Sequence, residues 1–186
     1  MAQNTEKAIA DALKTLLAKR PLNKITISDI TNECGINRMT FYYHYHDVYD
    51  LLRHIFDEMF RTALDGKRTL ADWKEGICIL MEEMQNNKAF FSGAYQSVDT
   101  EWITRYLHGL ISELLQEGLD QVTIPENVTE KQCRLIRDFY AYAFCGLLLQ
   151  WVRKGMKESP AELTDGMDKI GRGGLARALA AFSDPQ

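Results

Sequence analysis

The sequence predicts an all-α protein in which a short three-helix N-terminal unit precedes a longer helical bundle. Apolar residues recur at helical spacing along most of the chain, and capping signatures stand where the pattern restarts. Only 4 of the 186 residues are proline, so few positions forbid a helix interior. The segment Ile25–Ile27 has β character, but the helix start inside it outweighs that signal, and no strand is predicted.

The composition narrows the class of protein. A formal net charge of −4 argues against a uniformly basic chain, although it leaves room for a local basic face. No apolar run approaches the roughly 18 residues of a membrane span, and the polar start does not resemble a signal peptide, so we expect a cytoplasmic protein. The 4 cysteines stand far apart without a Cys-x-x-Cys pair, which argues against a zinc site or a disulfide framework.

Local signals define the helices of the N-terminal unit, which are predicted over residues 5–19, 26–34 and 38–44. Thr26 and Asp29 have the spacing of a capping box, which begins the second helix. Gly35 suits the positive φ of a sharp helix end, and Asn37 caps the third helix. These features predict two short helices joined by a tight turn.

The helices behind this unit are predicted to begin near residues 47, 69, 88, 100, 129 and 159, and the last one reaches Phe182. The clearest amphipathic stripe follows Asp47 and comprises Val48, Leu51, Leu52, Ile55, Phe56 and Met59. A second stripe comprises Leu70, Trp73, Ile77, Leu80, Met81 and Met84. The stretch 139–152 is apolar on nearly every side and cannot face water in a monomer of this size, which predicts a subunit interface.

The stretch 26–52 carries the functional signal. Its apolar residues are spaced to share a small core, which comprises Ile27, Ile30, Ile36, Phe41 and Tyr45. The predicted helix over residues 38–44 is then left with outward aromatic side chains that carry hydrogen-bonding groups. Such a face is unsuited to solvent and suited to contact with a partner. In helix-turn-helix modules, the start of the second helix lies against base edges in the major groove. The residues predicted to contact DNA are Thr26, Asn37, Arg38, Met39, Thr40, Tyr42, Tyr43, His44 and His46.

Each residue type fits a particular contact with DNA. Arg38 matches O6 and N7 of guanine, and Thr40 matches a base edge or a thymine methyl group. The hydroxyls of Tyr42 and Tyr43 suit phosphate oxygens, although either tyrosine also fits a mostly buried position. His44 fits two roles, a phosphate donor or a structural hydrogen-bonding residue.

The stretch resembles the DNA-binding domain of the TetR family of bacterial one-component regulators. That family shows the pattern T-[VI]-x-x-[IL]-A-x-x-[AG]-G-[VI]-[SN]-x-x-[TS]-[FLI]-Y-x-[HY]-F. The matching positions are Thr26, Ile27, Ile30, Gly35, Ile36, Asn37, Thr40, Phe41, Tyr42, His44 and Tyr45. The run from Tyr42 to Leu52 further resembles a subgroup that includes regulators of dihydroxyacetone-kinase operons.

Two positions depart from the family pattern. Thr31 stands where the family often has alanine, and Val48 stands where it often has a lysine that reaches a phosphate. Without that lysine we expect one fewer charged phosphate contact, and therefore a shallower salt dependence of DNA binding. His46 or backbone amides are the alternative phosphate donors.

The resemblance implies a DNA-binding domain over residues 1–46 and an effector-binding and dimerisation domain over residues 47–186. The predicted dimer interface comprises Phe139, Phe144, Leu147, Leu148, Trp151, Ile170, Gly174 and Ala178. The candidates for an apolar effector pocket are Met81, Met84, Phe91, Tyr95, Trp102, Tyr106 and His108. Ordinary core packing is the alternative for these residues, because sequence barely distinguishes such a pocket from a core.

These observations predict a homodimeric, sequence-specific DNA-binding regulator. The resemblance favours a repressor that binds a pseudo-palindromic operator and is released by a small-molecule effector. The alternative is a helical interaction module that binds a partner protein and activates transcription. No nucleophile–base arrangement or metal-ligand spacing is visible, so no enzymatic activity, cofactor or metal is expected.

Overall fold

The computed structural model describes residues 2–69, 71–171 and 173–183, and within them it confirms the all-α prediction. These ranges contain ten α-helices, one short 3-10 turn at Leu22–Lys24, and no strand. The helices are α1 (Ala2–Leu17), α2 (Ile27–Cys34), α3 (Arg38–His44), α4 (Val48–Ala63), α5 (Trp73–Asn86), α6 (Lys88–Ser97), α7 (Thr100–Leu119), α8 (Glu130–Arg153), α9 (Pro160–Gly171) and α10 (Gly174–Ser183). None of the helices in the described ranges has the length and apolar character needed to cross a bilayer.

The caps predicted for the N-terminal unit are present. Asp29 N–H donates to Thr26 Oγ1 at 3.1 Å, and Thr26 N–H donates to the Asp29 carboxylate at 2.8 Å, which completes the capping box. Gly35 ends α2 in the left-handed conformation with φ 70°, which a residue without a Cβ adopts readily. Thr40 N–H donates to Asn37 Oδ1 at 2.8 Å at the start of α3. Local hydrogen bonds therefore define both ends of the turn between α2 and α3.

Three boundaries or stripes differ from the prediction or lie beyond it. Helix α1 begins at Ala2, three residues earlier than residue 5. The single helix predicted from Pro160 to Phe182 is two helices, α9 and α10, because Gly173 between them has φ 70°, which no α-helix accommodates. Leu70, which the sequence places in the stripe of α5, lies outside the described residues.

One hydrophobic core runs through both halves of the chain. Buried residues of α1, α3, α4 and α8, among them Ile9, Phe41, Leu51 and Trp151, belong to a single cluster. The predicted small core of the N-terminal unit is part of it, with Tyr45 only 5% exposed. The packing is therefore continuous across residue 46, where the sequence predicts a domain boundary.

Helix α6 links the N-terminal unit to the helices behind it. A Cβ at Gly93 would lie 2.6 Å from the carbonyl oxygen of Leu17, so only glycine allows the end of α1 to come this close. One turn later, Leu22 N–H donates to Ser97 Oγ at 3.0 Å. Because α6 also packs against α8, it connects α1 with the longest helix of the chain.

The residues predicted for the dimer interface divide into three groups. The exposed residues are Phe139 and Ile170. The half-buried residues are Phe144, Leu147 and Ala178. The residues buried within this chain are Leu148, Trp151 and Gly174. The exposed group is available to a second subunit, whereas the side chains of Leu148 and Trp151 pack inside this chain.

Candidate nucleic-acid interface and internal cavities

Helix α3 exposes most of the side chains predicted to contact DNA. Met39 is 76% exposed and Tyr43 is 84% exposed, while Tyr42 is 45% exposed with its ring edge against Phe41. Arg38 is exposed too, and its guanidinium has no partner among the described residues. The face therefore offers one uncommitted cation and two phenol hydroxyls beside apolar surface.

Three predicted contact residues are engaged in caps. The Thr40 hydroxyl donates to Asn37 Oδ1 at 3.1 Å, and the Thr26 hydroxyl donates to the Asp29 carboxylate at 2.7 Å. Both hydroxyl protons are thus used inside the protein. At the start of α2, backbone N–H groups are therefore the donors available to a phosphate. The Thr26 hydroxyl could donate to the phosphate only by giving up its hydrogen bond to Asp29.

The charge of Asp29 is balanced at the same helix start. Hydrogen bonds from the backbone and hydroxyl of Thr26, and then the guanidinium of Arg20, lower the pKa of Asp29 to about 2. Arg20 Nη2 lies 3.0 Å from Asp29 Oδ1. The carboxylate stays ionised at neutral pH, and Arg20 is committed to it.

His44 faces into the protein. Its side chain is 8% exposed, and Nδ1 lies 3.1 Å from Glu6 Oε1 on α1. Of the two roles that the sequence leaves open, this position fits the structural one, in which His44 fixes the end of α3 against α1. The same end of α3 is packed by the buried ring of Tyr45, and burial raises the pKa of Tyr45 to about 12.

At the start of α4, carboxylates accept hydrogen bonds from the backbone N–H groups. Asp50 N–H donates to Asp47 Oδ1 at 2.8 Å, and His46 N–H donates to Asp50 Oδ2 at 3.0 Å. Two backbone N–H groups near the position of the missing lysine, those of His46 and Asp50, are therefore occupied. The side chain of His46 is exposed and remains the available donor at this place.

Two apolar cavities lie among the C-terminal helices. One of about 110 Å³ lies between the end of α4 and helices α5, α7, α8 and α9, and one of about 40 Å³ lies nearer α6. Phe60 and Leu148 line both, so these side chains form the wall between them.

The residues predicted for the effector pocket are not in one place. Met81 lines the larger cavity, and Met84, Phe91 and Tyr95 line the smaller one. Residues that the sequence reasoning missed line the larger cavity, including Arg68, Thr69, Trp73 and Phe144. Trp73 already lay on a predicted core stripe, but the space beside it depends on helix spacing, for which the sequence carries no signal.

Three of the predicted pocket residues line neither cavity. The Tyr106 hydroxyl donates to Asp57 Oδ1 on α4 at 2.6 Å, and its ring stacks on Trp102 with 5.6 Å between centroids. Burial and the bond to Asp57 raise the pKa of Tyr106. The ring of His108 lies 4.2 Å from that of Tyr142 on α8. Trp102, Tyr106 and His108 thus join α7 to its neighbours.

Helix α8 presents an unpaired apolar face. Leu135, Phe139 and Tyr142 are 59%, 67% and 60% exposed, and they lie at helical spacing on one side. A Cβ at Gly146, one turn further along, would meet no atom within 4 Å. We call Leu135, Phe139, Tyr142 and Gly146 the α8 stripe. Isolated exposed apolar residues are common, but a continuous row of them marks an interaction surface.

The helix-turn-helix unit with a uniformly helical C-terminal region defines a class, that of the helical transcriptional regulators. Residues 71–173, more than half of the chain, match the TetR-type family model described as a transcriptional regulator C-terminal region. The chain belongs to the TetR family of transcriptional regulators, as the 26–45 motif predicts.

Individual relatives agree with this assignment. The dhaKLM operon transcriptional activator DhaS of Lactococcus lactis subsp. lactis (strain IL1403) is 29% identical over 47% of this chain and 46% of its own. The transcriptional regulator EthR of Mycobacterium tuberculosis (strain ATCC 25618 / H37Rv) is 30% identical over 45% of this chain and 44% of its own. The matches thus span just under half the length of these relatives.

A solved structure extends the likeness in fold to nearly the whole chain. The dihydroxyacetone kinase operon activator DhaS superposes with a TM-score of 0.67 at 20% identity, covering 96% of this chain and 97% of that one. Both comparisons therefore include the subgroup that the run from Tyr42 to Leu52 resembles.

Proposed function

We propose that this regulator is a homodimer that represses transcription by occupying a pseudo-palindromic operator, and that a small-molecule effector releases it. The observation that carries the proposal is the exposed face of α3, where Arg38, Met39 and Tyr43 stand free on a helix held at both ends. Residues 1–46 act as the DNA-binding domain and residues 47–186 as the effector-binding and dimerisation domain.

The proposed DNA contacts separate into reading and anchoring groups. Arg38 and Thr40 read base edges, and Met39 packs against apolar base atoms such as a thymine methyl. Tyr42, Tyr43 and His46 contact phosphates, together with the backbone at the start of α2 beside Thr26. Asn37 and His44 orient α3 through their bonds to Thr40 and Glu6.

The dimer is proposed to form through the α8 stripe and the exposed Ile170 of α9. Two copies of α8 and its neighbouring helix would form a four-helix bundle across a two-fold axis. Gly146 permits close approach of the second backbone, since nothing in this chain covers it. Such a dimer presents two α3 helices to half-sites about 34–36 Å apart.

The test is a selection of binding sites from random duplex DNA with the purified full chain near physiological salt. Recovery of a pseudo-palindrome is the expected result, with half-sites one helical turn or a multiple apart. Recovery of no enriched sequence would refute autonomous operator binding. A single unrepeated half-site would refute the dimeric mode while leaving α3 as the reader.

A second candidate for the direction of control is activation. The Lactococcus relative and the superposed structure are both named as activators. In vitro transcription from a promoter that carries the selected site separates the two. Repression requires fewer transcripts as protein is added, and activation requires more.

A further inference from the structure

We propose that the larger cavity binds a small aromatic carboxylic acid, with its ring among the apolar side chains and its carboxylate on Arg68. The inference rests on the proposed effector response and names the chemistry of the effector.

The size and walls of the cavity fit an aromatic ring. Its volume is about 110 Å³, and an engineered apolar cavity of roughly 150 Å³ in another protein binds benzene. Trp73 and Phe144 form one wall with their rings nearly parallel, 5.9 Å between centroids and 21° between planes. Flat walls of this kind favour stacked or offset packing of a third ring. The body of the ligand is therefore a single ring, and its head group lies toward the opening.

Arg68 stands at the side of the cavity that faces the surface. Together with Phe60 and Leu114 it lines both the cavity and a depression on the surface outside, so these three side chains lie between the two spaces. Arg68 is the charged residue among the described residues that line the cavity, and Thr69 beside it adds a hydroxyl. A polar head group thus meets a cation at one end of an otherwise apolar space.

The present partner of Arg68 is replaceable. Arg68 Nη2 lies 2.9 Å from Glu117 Oε1, and both side chains are nearly half exposed. An exposed pair of this kind contributes little stability, so exchanging Glu117 for a ligand carboxylate costs little. The planar guanidinium binds a carboxylate with two parallel hydrogen bonds, which an amide oxygen or an ammonium group cannot reproduce.

Acidic side chains near the entrance lie outside the cavity. Asp57, Asp65 and Glu113 line the surface depression but not the interior. Asp57 already accepts the Tyr106 hydroxyl. A cation could therefore gather at the depression, but inside the cavity the charged side chain it would meet among the described residues is that of Arg68.

The position of the cavity gives the ligand a route to both working surfaces. Phe60 belongs to α4, which directly follows α3, and Leu175 belongs to α10, next to the proposed dimer face. A ring that enters displaces these walls together. It lowers DNA affinity only if it prefers the displaced arrangement.

The test compares three ligands of similar size by calorimetry and by thermal unfolding of the full chain. These are benzoate, its neutral isostere benzamide, and benzylammonium. We expect benzoate to bind at least about tenfold more tightly than the other two, because a charge-assisted pair adds roughly that factor. Arg68→Gln removes the preference for benzoate, whereas the matched control Arg105→Gln, an exposed α7 arginine paired with Glu101, retains it.

Each other outcome overturns the inference. Equal binding of benzoate and benzamide makes the cavity a neutral apolar site, and preference for benzylammonium makes it a cation site. Absence of binding by all three rejects it as a site for single-ring ligands. A benzoate preference that survives Arg68→Gln places the carboxylate elsewhere.

Leu163→Phe, which narrows the cavity, should abolish binding of benzoate without lowering the unfolding temperature.

The DNA selection described above is run separately. If a palindrome is recovered but benzoate does not bind, the ligand inference fails and the proposed function stands. If benzoate binds and no DNA sequence is enriched, the proposed function fails and the site remains.

Discussion

Helices α3 and α8 both expose large apolar side chains, but they do so in different chemical settings. On α3, Met39 and Tyr43 stand beside phenol hydroxyls and beside Arg38, which has no partner in the part of the chain that the structure describes. On α8, the apolar side chains of Leu135 and Phe139 lead to Tyr142, and that ring is the one phenol in the α8 stripe. The first is the surface proposed to contact DNA, and the second is the surface proposed to contact a second copy of the chain.

The supports of the two surfaces differ as well. Helix α3 has 7 residues and depends on its cap, its turn and the bond of His44 to Glu6. Helix α8 has 24 residues and is anchored by Trp151, which is 1% exposed. Helix α3 is thus held by local hydrogen bonds and by the single buried ring of Phe41, whereas α8 is held by packing along its buried side.

Phe139→Glu tests the α8 surface and has the largest expected effect. A charge in the centre of an apolar interface appears twice in a two-fold dimer, so we expect the dimer dissociation constant to rise at least ~100-fold. Light scattering should show monomers, with an unchanged helical circular-dichroism spectrum. Gln96→Glu, which adds the same charge at an exposed position of α6, is the control. A Phe139→Glu dimer at micromolar concentration would move the interface elsewhere.

Arg38→Ala tests whether α3 reads sequence. Loss of a bidentate contact to guanine costs about 1–3 kcal/mol at one base step. Competition binding should therefore show relaxed discrimination at that step and unchanged discrimination at the others. If Arg38→Ala weakens all sequences equally, Arg38 contacts phosphate instead.

Tyr42→Phe tests the anchoring role and should have a smaller effect. Removal of one hydroxyl contact to a phosphate costs roughly 0.5–1.5 kcal/mol. Binding to selected and unrelated duplexes should weaken by the same factor, because phosphates carry no sequence information. A loss confined to the selected site would assign Tyr42 to base reading.

The smallest expected effect concerns the pH dependence of the α2 cap. Because the pKa of Asp29 is lowered to about 2 in the folded protein, its ionised carboxylate stabilises the fold above the unfolded pKa near 4. That contribution is lost as pH falls from about 4 to about 2. The difference in melting temperature between the wild type and Asp29→Asn should therefore shrink across this interval. A difference that stays constant down to pH 2 would show that the charge contributes nothing.

Sequence reasoning was most successful where the cause is local. The caps at Thr26 and Asn37 and the turn at Gly35 follow from the preferences of single residues, and the structure contains all of them. It was least successful for α8, because a helix that is apolar on all sides does not reveal which side faces inward. Leu148 and Trp151 lie on the buried side of α8, whereas the α8 stripe lies on the exposed side.

The cavities show the same limit in the candidate site. Met81 and Met84 are one turn apart on α5, yet they line different spaces because Phe60 and Leu148 stand between those spaces. Tyr106 was expected among the residues of an apolar effector pocket, and its hydroxyl donates to Asp57 of α4. Such outcomes depend on distances between helices, which no short sequence pattern encodes.

The contact at Gly93 has a consequence for exchanging parts between related regulators. The backbone of α6 contacts the end of α1, and Ser97 Oγ accepts the N–H of Leu22. The contact between the N-terminal unit and the C-terminal helices therefore depends on residues of both. A chimera that joins the N-terminal unit of another regulator to these C-terminal helices must reproduce this contact. Whether it folds will depend on how the new unit packs against Gly93 and Ser97 as much as on the recognition helix that it carries.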